Sequence, residues 1–161
     1  MKKQPISKTN AMRILDQHGI AYECAEYEYD ESDLSGTHAA EVLGVPGDQI
    51  FKTLVTRGTD RELYVFVIPV DAELSLKKAA HAAGQKHIEM IHVKELEPLT
   101  GYIRGGCSPI GMKKQYPTFI DEMATLCDTI YFSAGKRGLQ IIMAPDDLVN
   151  LIGAEYKDLT E

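Results

Sequence analysis

At 161 residues this chain is the size of one domain, spanning 1–161, that can bury a full core without disulfide or metal staples. Its net charge of −7 argues against general nucleic-acid binding, which relies on neutralising phosphates, and leaves open only a local basic patch. Asp16 and other polar residues break up the stretch after the opening lysines, so no signal peptide is expected, and no window approaches the roughly 20 apolar residues of a membrane span.

In chain order, "SKTNAMRILDQHG" reads as a helix capped by Ser7 or Thr9, with an apolar side of Met12, Ile14 and Leu15 and a stop at Gly19. "IAYECAEYEY" alternates Ile20, Tyr22 and Cys24 with polar residues, as a strand does. "THAAEVLGV" is a short helix expected to be capped by Thr37 and stopped at Gly44. "QIFKTLVTRGTDRELYVFVIPV" predicts a hairpin with strands near 50–56 and 63–70 around a Gly-Thr-Asp turn. "SLKKAAHAAG" is a helix capped by Ser75 and ending at Gly84, and "KELEPLTG" a shorter one closing at Gly101. "DTIYFSAGKRGLQIIMA" predicts a second hairpin turning on "SAGKRG". "PDDLVNLIG" starts a helix on Pro145, sets two aspartates in its first turn and stops it at Gly153. Strands in hairpins with helices between them favour a mixed, largely antiparallel α/β arrangement over a doubly wound parallel sheet.

Familiar catalytic and cofactor signatures are missing. There is no GxGxxG or Walker loop, and the five histidines form no i, i+4 pair beside a glutamate, so neither a cofactor nor a metal is expected. Cys24, Cys107 and Cys127 are widely spaced with no CxxC pair, which suits reduced thiols in a cytoplasmic protein. Ser108 lies in "GCSPI" rather than GxSxG, and Cys107 has no base nearby in the sequence.

The features that remain are individually modest. Lys52 interrupts the apolar strand "FKTLV", with Phe51, Thr53 and Val55 on one face and Lys52 and Leu54 on the other. It is either an edge lysine facing water or a cation that holds an anion or polarises an acyl group. The run "GYIRGGCSPIGMKK" places Gly105 and Gly106 where backbone N–H groups can approach a ligand, with Pro109 stiffening the loop, unless it is a plain turn. "SAGKRG" is an ordinary hairpin loop or a glycine-lined wall whose Arg137 binds phosphate. Lys77-Lys78, Lys113-Lys114 and Lys136-Arg137 matter only if the fold gathers them.

Taken together, "FKTLV", "LKKAA", "TGYIRGGCSPIGMKK", "TIYFSAGKRGLQI" and "APDDL" resemble the YbaK/EbsC family of aminoacyl-tRNA deacylases, relatives of the editing domain of bacterial prolyl-tRNA synthetases. The resemblance spans nearly the whole chain and leans towards the YbaK branch, the Cys-tRNA(Pro) deacylases. It implies a central, barrel-like, largely antiparallel sheet with helices outside. It also implies trans-editing: hydrolysis of the ester joining misplaced cysteine to tRNA(Pro), with the cysteine thiol itself attacking the ester carbonyl. By the same resemblance, Lys52 is the essential lysine, and Gly105 opens the loop that ends at Pro109 and cradles the ester, with Gly106 beside it. Tyr27, Cys107, Ser108, Ser133, Gly135, Arg137 and Asp147 are its expected substrate contacts. The implied partners are the acceptor end of aminoacyl-tRNA(Pro) and the prolyl-tRNA synthetase. One departure is Cys107, which stands where the family loop commonly carries isoleucine; it leaves more room and puts side-chain selectivity in question. Two other readings stay open: a deacylase for Ala- or Ser-tRNA, and a non-catalytic module that binds a nucleotide or aminoacyl-adenosine.

Overall fold

A computed structural model describes residues 7–161. Helix α1 (Asn10–Gln17) starts at Thr9, whose hydroxyl accepts from the Met12 N–H at 3.3 Å, and it buries Ala11, Met12 and Leu15. Helix α2 (Gly36–Leu43) is capped two residues earlier than expected, by Ser35 rather than Thr37. The reason is local: Ser35 takes the extended backbone of a cap and accepts from His38 N–H, while Thr37 already lies inside the helix.

Among the described residues eight strands form two sheets. In the smaller, β1 (Glu23–Glu26) pairs with β7 (Leu139–Met143), which pairs with β6 (Ile130–Ser133), all antiparallel. The larger has the order β4 (Ile88–Met90), β2 (Phe51–Gly58), β3 (Leu63–Pro69), β5 (Thr118–Asp121), β8 (Glu155–Lys157). Both expected hairpins are present, β2–β3 and β6–β7, but β5 and β8 join in parallel. The two sheets touch at one isolated parallel bridge, Ile50 to Tyr131, so the barrel-like sheet is an open pair rather than a closed ring.

Strand β3 is buried along its whole length and divides the core by alternation. Leu63, Val65 and Val67 join the main cluster with Phe51, Val55 and Phe132. Tyr64, Phe66 and Ile68 face a second cluster closed by Ala79 and Ala80 of α3 (Leu76–Ala83). Helix α4 (Val93–Thr100) follows β4 directly, and α5 (Pro145–Ile152) packs Leu148 and Ile152 onto the main cluster. Among the described residues no helix is long and apolar enough to cross a membrane.

Candidate active site

A cavity of about 480 Å³ opens where the two sheets part. Its floor is Ile50 and the first five residues of β2, Phe51 to Val55. The start of α2 and Tyr27 close one end, and Met90, Val93 and Leu96 of β4 and α4 form an apolar wall at the other. The loop carrying Arg104, Gly105 and Cys107 covers one side, and Ser133 and Gln140, paired across β6 and β7, complete the lining.

Lys52 borders this cavity and is half-buried, and among the described residues it forms no ion pair. Burial holds its ammonium below the usual lysine range, only partly offset by the fields of Glu73 and Asp71. Cys107 is buried against the same space, and burial pushes its thiol up to about 12, so it stays protonated at neutral pH and is a poor nucleophile. Ser133 lines the cavity too, with its hydroxyl accepting from the Gly135 N–H at 3.2 Å.

The remaining expected contacts lie elsewhere. Gly106 is buried behind the lining, and its N–H is already donated to the Ile103 carbonyl at 3.0 Å, so it has no donor left for an ester oxygen. Ser108 is fully buried and absent from the lining, its hydroxyl accepting from the Ile110 N–H at 3.3 Å. Pro109 is buried and Gly135 half-buried, and neither lines the cavity. Arg137 is at the rim, where its Nε donates to the Arg104 carbonyl at 2.9 Å and its side chain passes beside Gly105. Asp147 is exposed in the first turn of α5, serving the helix N-terminus, and borders no part of the cavity.

Two lining residues were not read from the sequence as site residues. The side-chain oxygens Thr53 Oγ1 and Gln140 Oε1 are buried with no hydrogen-bond partner among the described residues, and both residues border the cavity. A buried polar atom left unpaired costs about 1–3 kcal/mol, so two of them round one space mark a place where a ligand's polar groups belong. Gln140 had a sequence signal of the same kind as Lys52, a polar residue inside the apolar strand "GLQIIM".

The loop itself hangs on Tyr102. Its ring is buried and its hydroxyl donates to the Ile110 carbonyl, while its own N–H donates to Thr100 Oγ1 at 3.1 Å. Replacing Tyr102 by phenylalanine keeps the ring but leaves the Ile110 carbonyl unpaired. The expected loss is about 1–3 kcal/mol, read in thermal unfolding as a Tm lower by about 2–4 °C per kcal/mol.

Comparison with known proteins places these features in a family. The model described as the aminoacyl-tRNA editing domain matches residues 35–151. A protein of Enterococcus faecalis (strain ATCC 700802 / V583) named "Putative Cys-tRNA(Pro)/Cys-tRNA(Cys) deacylase EbsC" is 50% identical, over 99% of this chain and 97% of its own. A proline–tRNA ligase of Shouchella clausii (strain KSM-K16) is 30% identical over 78% of this chain, which corresponds to 21% of that longer enzyme. A solved structure described as "a putative trans-editing enzyme for prolyl tRNA synthetase" superposes with a TM-score of 0.81 at 26% identity, covering 96% of this chain and 99% of the other.

Proposed function

The chain belongs to the aminoacyl-tRNA editing domain family, and from that premise we propose that it is a trans-editing deacylase that hydrolyses the ester of mischarged Cys-tRNA(Pro). The observation that carries this reading is the make-up of the cavity. It sets a lysine, a glycine loop and two side-chain oxygens with no partner among the described residues round one space, and its own thiol is held protonated.

The chemistry follows from what the cavity offers. The substrate's thiol sulfur forms a bond to its own ester carbonyl carbon. The bond from that carbon to the ribose oxygen breaks, the ribose oxygen takes a proton, and water then opens the cyclic thioester. The protein's part is to hold the aminoacyl group in a reactive geometry and to stabilise the developing oxyanion, through the Lys52 ammonium and the main chain at Gly105 and Cys107. Such positioning and electrostatic effects act without an enzyme nucleophile. Two similar-sized side chains are discriminated weakly by binding alone, which is why prolyl-tRNA synthetase would need a second, hydrolytic site. The acidic charge of the chain fits recruitment to tRNA with help from that synthetase.

The test is a panel of Cys-, Ala- and Ser-tRNA(Pro), Cys-tRNA(Cys), and Cys-tRNA(Pro) with its thiol methylated. The expected result is fastest hydrolysis of Cys-tRNA(Pro) and resistance of the methylated form. Preference for Ala- or Ser-tRNA(Pro) moves the specificity, and hydrolysis of none leaves a binding module.

A further inference from the structure

Among the described residues, strand β2 is paired on its cavity-side edge only at its two ends. At the start, the Tyr131 N–H donates to the Gln49 carbonyl at 3.0 Å, and Ile50 bridges Tyr131 of β6. At the far end, the Ile91 N–H donates to the Val55 carbonyl at 3.3 Å, and β4 continues the pairing through Gly58. The opposite edge is taken by β3, where the Val70 N–H donates to the Ile50 carbonyl at 3.0 Å and the Gly58 N–H to the Glu62 carbonyl at 2.9 Å. In an antiparallel ladder the residues bonded to one neighbour alternate with those facing the other way. Ile50, Lys52, Leu54 and Thr56 therefore spend their main-chain groups on β3, and the N–H and C=O of Thr53 face the gap between β6 and β4. That gap is the cavity. Beside it lies the orphaned Oε1 of Gln140, a residue only 6% exposed.

A strand residue facing an open edge offers one donor and one acceptor to whatever lies opposite, normally the acceptor and donor of a single residue on a neighbouring strand. An α-aminoacyl ester carries that complement on one residue: an ammonium and a carbonyl. We propose that the main chain of Thr53 binds the aminoacyl group as one strand binds another. The Thr53 carbonyl accepts from the α-ammonium, the Thr53 N–H donates to the ester carbonyl oxygen, and Gln140 Oε1 accepts a second ammonium proton. This rests on the deacylase reading and adds the element that selects a free α-amino group. It also supplies an N–H whose bond strengthens as the carbonyl oxygen becomes an oxyanion, the role that Gly106 cannot fill.

Proline and valine at position 53 both remove the hydroxyl; proline also removes the N–H, on a strand edge with no neighbour there among the described residues, and valine, which keeps the N–H, serves as the reference. Thr53→Pro is expected to lower kcat/KM about 100-fold relative to Thr53→Val. Equal activity of the two variants overturns the proposal. A second measurement does not depend on the proline variant folding or on catalysis. The wild type is titrated with 3′-cysteinylamino-3′-deoxyadenosine, whose amide link resists hydrolysis, and followed by amide NMR. The Thr53 amide proton should move downfield and exchange more slowly with solvent, and N-acetylation of the probe should weaken its binding about tenfold or more. A Thr53 amide that stays unchanged as the probe is raised to millimolar levels overturns the proposal, as does an N-acetyl probe that binds equally well. Failure of the deacylase reading appears separately, in the substrate panel.

Discussion

Lys52→Ala should lower kcat/KM for deacylation by about 10²–10³-fold, the scale of losing one oxyanion-stabilising group, while leaving the folded state as stable as before. Lys52 is half-buried without an ion-pair partner among the described residues, so its removal breaks no bond and relieves a desolvation cost. The same burial sets a pH signature. Because the folded-state pKa lies below the ordinary 10.5, the wild-type rate, corrected for spontaneous hydrolysis, should fall as Lys52 loses its proton at a pH below 10.5. Lys52→Arg holds its charge throughout, so the alkaline limb should move out of range even if the rate is lower. Stability follows the opposite course. Between the lowered folded value and 10.5 the unfolded chain binds more protons at this site, so wild-type stability gains with rising pH there, and the alanine variant lacks that gain. A wild-type profile flat to pH 10.5, or an alanine variant with unchanged kcat/KM, would remove Lys52 from the mechanism.

The sequence carried the elements whose signals are local. Ser75 and Gly84 bracket α3, Pro145 and Gly153 bracket α5, and both hairpins follow from alternation and turn residues. It did not carry β4, β5 and β8, which are three or four residues long and held by partners distant in the chain, β5 between β3 and β8. A run as short as "TFID" is buried throughout, with the Asp121 carboxylate accepting from the Met123 and Leu159 N–H groups at 3.0 Å each. Nothing in those four letters distinguishes it from a loop. The parallel pairing was missed for the same reason. The candidate site divides along a similar line: Lys52 and the glycine loop are conspicuous in the sequence, whereas the gap in the edge of β2 exists only once β6 and β4 have each taken one end of it. Asp147 lies on the other side of that line: it is conspicuous in the sequence beside Asp146, and the fold sets it in the first turn of α5, away from the cavity lining.

Gly106→Ala should be more damaging to catalysis than its small size suggests, and two other glycines show why. A Cβ on Gly106 would sit 3.0 Å from Lys136 Cα and 3.1 Å from Arg137 N, against the main chain of the β6–β7 turn, which has no flexible end to move aside. The two loops must separate by a few tenths of an ångström. Overpacking of this kind costs about 1–3 kcal/mol, and the segments it moves carry or adjoin Gly105, Cys107 and Ser133, three of the residues that line the cavity. Misplacing positioned groups by about an ångström can cost 100-fold in rate, so a kcat/KM lower by about tenfold or more is expected alongside the lower Tm. Gly105→Ala adds a different cost, because φ of +84° is strained for any residue with a side chain by about 1–2 kcal/mol, and its Cβ would lie 3.3 Å from Leu34. Gly153→Ala isolates the strain alone: φ is +67° and nothing lies within 4 Å of the added carbon. That variant should lose a similar 1–2 kcal/mol or so of stability with kcat/KM unchanged, because Gly153 ends α5 and borders no part of the cavity. If Gly106→Ala and Gly153→Ala lose the same Tm and both retain full activity, the tight seam between the two loops is not what positions the site.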